Sequence, residues 1–376
     1  MVGTATFGIG EAKGFSSLDI AVHASLKALA QAGLTPADVD SVSVALPDDF
    51  FSGMSITEYM GLRPKLSNNN RTGGSSFMTH MMSAALALDA GLCEVALIAY
   101  GSNQRTNPNK PMVVPSRPSI YEAPYKMREP VSSYALAASR HMHLYGTTRE
   151  QLGAVALASR LWAQLNPEAF LREPLSMDDY LKARLVSDPL TARDCCVSTD
   201  GGAALVMVRA DRAPDHLAKP AYVLGCAEAC YNREISSMPD VTETSAKEAA
   251  ARAFGQAGVS RSEIDVVQVY DAFTINPILF LEDLGFCPKG EGGRFVQGGR
   301  IAPGGALPTN TNGGSLSCVH PGMYGIFSLV EAAQQLSGLA GQRQVPGVNL
   351  SLAQATGGSL SHQAVAILGS VDTLRA

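Results

Sequence analysis

The sequence predicts an α/β fold made of a duplicated half, with a helical lid inserted between the two copies. Three observations predict it. Helix-like and strand-like segments alternate along the 376 residues, as in proteins that cover a sheet with helices. Two blocks of sequence recur in the same order. A stretch of different character separates them. The length also suits two halves better than one core.

The first recurring block runs Leu26–Thr35, then Ala37-Asp38-Val39-Asp40 with Val42 and Val44; its copy runs Ala251–Ser260, then Ser262-Glu263-Ile264-Asp265 with Val267 and Val269. The pairs Gln31/Gln256, Gly33/Gly258, Asp40/Asp265 and Val44/Val269 keep one offset of 225 residues. Each copy reads as a helix closed by glycine, a turn, and a buried strand. The second block is Asn70-Arg71-Thr72-Gly73-Gly74-Ser75-Ser76-Phe77, leading into a helical pattern through Ala90-Gly91 and the strand Val95–Tyr100. Its copy is Asn310-Thr311-Asn312-Gly313-Gly314-Ser315-Leu316-Ser317, leading into a helix around Ile326–Leu336 and the strand Val348–Leu352. Duplication implies pseudo-twofold symmetry, and the glycine turns are expected to bring two helix N-termini, which favour polarised oxygens, close to the axis.

Between the copies, residues 103–130 are rich in Pro, Asn and Ser and read as an exposed loop, and 132–185 read as helices, including Tyr134–Tyr145 and Arg149–Leu165. The expected division is 1–102 with 186–215 as the N-terminal half, 103–185 as the inserted lid, and 216–376 as the C-terminal half.

Composition narrows the function. Hydrophobic residues make up 46%, charged residues 17%, and the net charge is −5. No basic stripe suggests a nucleic-acid partner. An anionic ligand would need local positive charge or backbone N–H groups. No apolar run approaches the roughly 18 residues of a membrane span. The start, Met1-Val2-Gly3-Thr4, does not read as a signal peptide. Cysteines stand at 93, 195, 196, 226, 230, 287 and 318. An odd number without a signal points to reduced thiols and a cytoplasmic location. Cys226 and Cys230 lack a second pair at zinc spacing, so no metal is expected.

The C-terminal half carries the most specific pattern. Asn312-Gly313-Gly314 with Val319-His320-Pro321-Gly322 resembles the Asn-x-x-Gly-Gly…Gly-His-Pro motif of thiolases. Val269-Tyr270-Asp271-Ala272-Phe273 resembles their Asn-Glu-Ala-Phe motif, and Asp200-Gly201-Gly202-Ala203-Ala204 their Asp-Gly-Ala-Ala-Ala block. Gly285-Phe286-Cys287-Pro288-Lys289-Gly290-Glu291-Gly292 is similar to the sterol-carrier and lipid-transfer branch. The resemblance covers nearly the whole chain. It implies the thiolase fold, a five-layer αβαβα core, usually dimeric. It also implies coenzyme A thioesters as substrates, with no other tightly bound cofactor.

One departure from the family matters most. Thiolases place a nucleophilic cysteine at the turn that starts the buried N-half helix. Counting back from Asp89-Ala90-Gly91 puts Gly74 there, whereas anchoring on the asparagines points to Arg71. Neither can form an acyl-enzyme. The loop of the second thiolase cysteine reads Ala355-Thr356-Gly357-Gly358-Ser359. The lipid-transfer branch contains Cys-less enzymes that resemble CoA-ester aldolases and cut steroid side chains. A retro-aldol cut needs a base for the β-hydroxyl proton and donors for the enolate on the thioester oxygen. The resemblance implies tyrosines for this work. Tyr270 stands where one belongs, and His320 takes the place of the second.

The candidate catalytic residues are Tyr270, His320 and Asp271. His320 would hold the thioester oxygen or shuttle a proton, against the plainer reading of a loop histidine bonded to backbone. Tyr270 would do acid/base or oxyanion work, or be a strand-end tyrosine at the surface. Asp271 would orient a partner or cap Thr274. Gly73, Gly74, Ser75, Gly313, Gly314 and His362 are the candidate pocket residues. Cys318, His80, Cys195 and Cys196 read as core. His141 and His143 fall on different helix faces and do not share a metal. Three functions follow: cleavage beside a bulky acyl-CoA thioester without cysteine, acyl transfer by an atypical route, or acyl-CoA binding without catalysis. The resemblance adds two partners, a second copy of the chain and a small zinc-containing OB-fold protein. The long insert favours a steroid-like, aromatic or branched acyl group over acetyl.

Overall fold

The computed structural model describes residues 1–108 and 119–374. Part of the loop expected at 103–130 therefore lies outside the described residues. The first half holds β1 (Gly3–Gly10), α1 (Ser17–Gln31), β2 (Ser41–Val44), α2 (Ser52–Met60), β3 (Leu66–Asn68), α3 (Ser76–Asp89) and β4 (Val95–Ser102). The intervening segment holds α4 (Val131–Tyr145), α5 (Arg149–Gln164), α6 (Met177–Leu181) and a small hairpin of β5 (Leu185–Ser187) and β6 (Leu190–Thr191), before the long strand β7 (Asp200–Val208). The second half holds β8 (Tyr222–Cys230), α7 (Ala246–Ala257), β9 (Val266–Gln268), α8 (Ile275–Asp283), α9 (Gly292–Phe295), α10 (Gly325–Ser337), β10 (Leu350–Gly357) and β11 (His362–Gly369).

The duplication is visible in the sheets. One has the order β1-β7-β4-β2-β3 and the other β8-β11-β10-β9. In both, a parallel pair (β2 with β4, β9 with β10) adjoins an antiparallel ladder (β4 with β7, β10 with β11). Strands β4, β7 and β10 are buried along their whole length, which is why they read as continuous apolar runs. Helix α1 covers the first sheet and α7 the second, whereas α3 and α10 touch both sheets and each other. That makes five layers. The central helices differ from the outer ones accordingly: α10 buries even Glu331, paired with Arg343 at 3.0 Å, while α7 keeps one exposed face.

The repeated residues do repeated work. Gln31 accepts the Thr4 N–H of β1 at 2.6 Å, and Gln256 accepts the Cys226 N–H of β8 at 2.8 Å. Asp40 accepts the Glu94 and Val95 N–H groups at the start of β4, and Asp265 accepts those of Asn349 and Leu350 at the start of β10. The turns between use matching caps, Thr35 with Asp38 and Ser260 with Glu263.

The second block behaves differently from the sequence expectation. Gly73-Gly74-Ser75 is one helical turn running straight into α3. Gly313-Gly314 instead opens a separate wide turn over Gly314–Cys318, and α10 begins only at Gly325. The loop between them carries His320-Pro321, and Pro321 has no N–H for a helix to use. The two helix starts still meet, because a Cβ on Gly325 would overlap the Gly74 carbonyl oxygen and lie 2.8 Å from the Ala355 Cβ.

The inserted helices dock on this second half. Ser159 donates to the Gly313 carbonyl at 2.6 Å, Asn166 to that of Asn312 at 2.9 Å, and the Trp162 indole to Ile301 at 2.9 Å. Buried His141 bonds Thr147 at 2.7 Å and Glu282 at 3.0 Å. Lys289 of the Gly285–Gly292 segment lies 3.2 Å from Glu282 and 2.6 Å from Asp283. That segment thus sets one ammonium between two buried carboxylates where the insert meets α8.

Because Asp265 ties two N–H groups at once, Asp265→Ala should lower unfolding free energy by about 1–3 kcal/mol, and Asp40→Ala by a similar amount. Urea denaturation checks both, and an unchanged midpoint in either would contradict the duplicated role.

Candidate active site

Tyr270 lies two residues past the end of β9. Its N–H is accepted by Gln354 of β10 at 3.1 Å, and that of Val269 by Asn310 at 2.8 Å. The ring is buried, not at the surface, and its hydroxyl ends in a crowded polar spot. The hydroxyl lies 3.1 Å from His320 Nε2, 3.4 Å from the Gly322 carbonyl, and accepts the Tyr324 N–H at 3.3 Å. The rings of His320 and Tyr324 both stand nearly perpendicular to it, a favourable arrangement for aromatic faces and edges.

The His320 loop is held by the first half of the chain. Thr199 accepts the His320 N–H at 3.0 Å, and the Gln104 amide donates to its carbonyl at 2.5 Å. The Tyr100 hydroxyl donates to the Pro321 carbonyl and accepts the Met323 N–H at 3.2 Å. Burial pushes the His320 imidazole down to about 4 and the Tyr270 phenol well above its ordinary range. At neutral pH the pair is therefore a neutral phenol beside a neutral imidazole.

Gly74, in the turn before α3, packs directly against Tyr270. A Cβ there would overlap the Tyr270 ring, with Cζ at 2.8 Å, and would lie 2.7 Å from the Thr356 carbonyl. A cysteine at 74 and a tyrosine at 270 thus exclude each other in this backbone. Arg71 is elsewhere, its guanidinium donating to the carbonyls of Leu46 and Asp49. Burial raises the thiol pKa of Cys318, Cys196 and Cys93, and pushes Cys195 up to about 11 and Cys226 and Cys287 up to about 12. None of these is a ready thiolate. Cys318 is core, 3.4 Å from the Asn166 amide. Cys195 and Cys196 are half-buried: they pack against the core and line a cavity of about 210 Å³ with Arg160, Arg193 and Ser317.

The remaining candidates separate. Asp271 does not cap Thr274, whose N–H and hydroxyl go to Asp194. It accepts the Ser315 N–H at 2.6 Å and is buried, and burial raises its pKa to about 6. A Cβ on Gly314 would collide with that carboxylate, and one on Gly313 would lie 2.8 Å from Ala163 of α5. Gly73, at φ +81°, packs on Gly357. These three glycines admit close neighbours. Ser75 is fully buried, its hydroxyl 2.9 Å from His362 Nδ1, and His362 Nε2 lies 3.5 Å from Glu228. His80 bonds the Asn70 carbonyl inside the core at 2.8 Å. Sequence reasoning missed Tyr324 and Glu228, since neither stands in a motif. Only the position of Tyr324 beside His320-Pro321-Gly322 offered a hint.

Residues 227–370 match the family described as thiolase C-terminal domain-like. The chain is 33% identical to an acetyl-CoA acetyltransferase of Methanothermobacter thermautotrophicus, over 98% of each chain. It is 31% identical to a steroid side-chain-cleaving aldolase of Thermomonospora curvata, over 92% of this chain and 91% of that one. Among solved structures, the Ltp2-ChsH2(DUF35) aldolase superposes with a TM-score of 0.90 at 31% identity, over 100% of this chain and 98% of that one.

Gly74→Cys should destabilise the chain by about 1–3 kcal/mol through overpacking, and a second change, Tyr270→Ala, should recover part of the loss. Additive effects in denaturant titration would contradict the exclusion. For Asp271, the folded pKa lies above the unfolded one. Its favourable contribution is whole below about pH 4 and is lost as the pH rises through about 6. Asp271→Asn should therefore gain about 2–3 kcal/mol on the wild type between pH 4 and pH 7.5. Parallel stability curves would reject this.

Proposed function

The chain belongs to the thiolase superfamily, in its sterol-carrier and lipid-transfer branch, and on that premise we propose that it cleaves a β-hydroxyacyl-CoA by a retro-aldol route. The observation that carries the proposal is the Tyr270 ring packed against Gly74 where an ordinary thiolase would hold sulfur. With no nucleophile there, the work left for the site is to stabilise negative charge on the thioester oxygen. Tyr270 suits that work. Its phenol stays protonated, so it serves as a donor to the enolate. Neutral His320, 3.1 Å away, orients that hydroxyl and shares the oxygen. The adjacent starts of α3 and α10 add the positive ends of two helices.

Coenzyme A enters as part of the substrate. The acyl group is bulky, steroid-like, aromatic or branched, beneath the insert. Tyr134 of α4 supports this, since it stacks on Phe273 at 4.5 Å, beside Tyr270 in the chain. Two partners belong to the reading. One is a small zinc-containing OB-fold protein of the DUF35 kind. The other is a second copy, docked along the open edge of β3 near the exposed Phe50, Phe51 and Met54. A second activity, acyl transfer, is favoured by the 33% identity to an acetyl-CoA acetyltransferase. It requires a labelled acyl adduct on the protein, readable by mass spectrometry.

The test is release of a carbonyl product and a shortened acyl-CoA from a panel of β-hydroxyacyl-CoA thioesters, with the candidate partner protein present and absent. Tyr270→Phe should lower kcat by about 10²–10³-fold, the usual loss of one oxyanion donor, and thiol alkylation should leave the rate unchanged. Full activity in a Tyr270→Phe, His320→Ala double variant would reject the proposal.

A further inference from the structure

A retro-aldol cut moves one proton from the β-hydroxyl oxygen to the α-carbon. Some group must accept that proton and give it back. Tyr270 and His320 serve poorly, because the phenol holds its proton and the imidazole is a weak base. Two arrangements of the right kind stand among the described residues; Thr147, His141 and Glu282 are buried where the insert meets α8, and the other lies next to Gly74. Ser75 Oγ lies 2.9 Å from His362 Nδ1, and His362 Nε2 lies 3.5 Å from Glu228 Oε2. A hydroxyl, an imidazole and a carboxylate in that order activate the hydroxyl for proton transfer.

We propose that Ser75, His362 and Glu228 form the proton-transfer group of this site, serving first as the base for the β-hydroxyl and then as the acid for the α-carbon. The proposal rests on the retro-aldol reading above. Three elements from both halves converge to build the group. Ser75 ends the turn before α3, one residue past the Gly74 that touches Tyr270. His362 opens β11, and Glu228 lies on β8, the neighbouring strand. Ser75 is fully buried, whereas the Glu228 side chain is 33% exposed, so the line runs from the helix start to solvent. The Thr79 hydroxyl donates to the same Glu228 oxygen and fixes it. Burial lowers the His362 pKa against the opposing pull of Glu228, leaving a neutral ring able to accept.

The proton count closes. Ser75 Oγ takes the β-hydroxyl proton as its own proton passes to His362 Nδ1, giving an imidazolium beside the Glu228 carboxylate. The electrons of the breaking C–C bond move into the thioester to form the enolate, and the β-carbon becomes a carbonyl. The imidazolium then returns its proton through Ser75 to the α-carbon. Ser75 acts by proton transfer and not as a nucleophile, because its oxygen is hemmed in. It lies 3.0 Å from the Thr72 carbonyl and 3.2 Å from the Thr72 hydroxyl, and a Cβ on Gly357 would sit 2.7 Å away. A tetrahedral adduct does not fit among those neighbours.

The test uses full-length protein in D₂O with saturated acyl-CoA thioesters from acetyl- to butyryl-CoA, following deuterium uptake at the α-carbon. Wild type should exchange. Ser75→Ala and His362→Phe should slow exchange by about 10²–10⁴-fold, the usual contribution of a general base. Glu228→Gln, at the solvent end, should slow it less and keep the wild-type melting temperature. In ¹⁵N spectra the His362 proton should sit on Nε2 in wild type and redistribute in Glu228→Gln, a readout independent of turnover. Wild-type exchange rates in folded Ser75→Ala and His362→Phe would overturn the relay and leave the retro-aldol reading standing. So would an acyl group found on Ser75. A wild type that neither exchanges nor cleaves any β-hydroxyacyl-CoA would remove both.

Discussion

The contact between Gly74 and the Tyr270 ring is the constraint on which the rest of the site depends. The backbone at position 74 opens a buried helix, and its carbonyl touches Gly325 at the start of the matching helix. That leaves one small volume at the meeting of the halves. An aromatic ring enters it from 270, and a side chain grown from 74 would meet both that ring and the Thr356 carbonyl. The groups that meet there, the Tyr270 phenol and the His320 imidazole, are both uncharged. The neutrality of Tyr270 and His320 has the same origin, since deep burial penalises the charged form of each.

The duplicated frame explains how so crowded a spot stays ordered. Matching residues such as Asp40 and Asp265 tie equivalent strands in each half, and the central helices bury against both sheets. The His320 loop breaks the symmetry and is therefore pinned from the other half by Thr199, Gln104 and Tyr100. Polar groups this deep are stable only when nearly all are paired, and around Tyr270 and His320 most are, with Asp271 Oδ2 and Ser315 Oγ left without a hydrogen bond.

Much of this was legible in the sequence, for physical reasons. The repeat at Gln31/Gln256 and Asp40/Asp265 was readable because both copies keep the same cap and the same backbone partners. Tyr270 and His320 stood in motifs, whereas the sequence left position 74 or 71 open, and the structure puts Gly74 against Tyr270 and Arg71 on the Leu46 and Asp49 carbonyls. The roles of Gly313 and Gly314 were not readable. Their motif pointed to a pocket, yet one glycine makes room for Ala163 and the other for the Asp271 carboxylate. The helix expected around Ile326–Leu336 stands where α10 does, but the matching glycine pairs lead into different turns before their helices. Glu228 left no local signal and Tyr324 only its place beside His320-Pro321-Gly322, because tertiary pairing sets their contacts with His362 and Tyr270.

A crystal structure of the chain with an unreactive β-hydroxyacyl-CoA analogue tests the central claim most directly. The Tyr270 hydroxyl should lie about 3 Å from the thioester oxygen, with the imidazole of His320 in the same pocket and the Gly74 contact intact. A cysteine sulfur within bonding reach of the acyl carbon, or a thioester bound away from Tyr270, would contradict it.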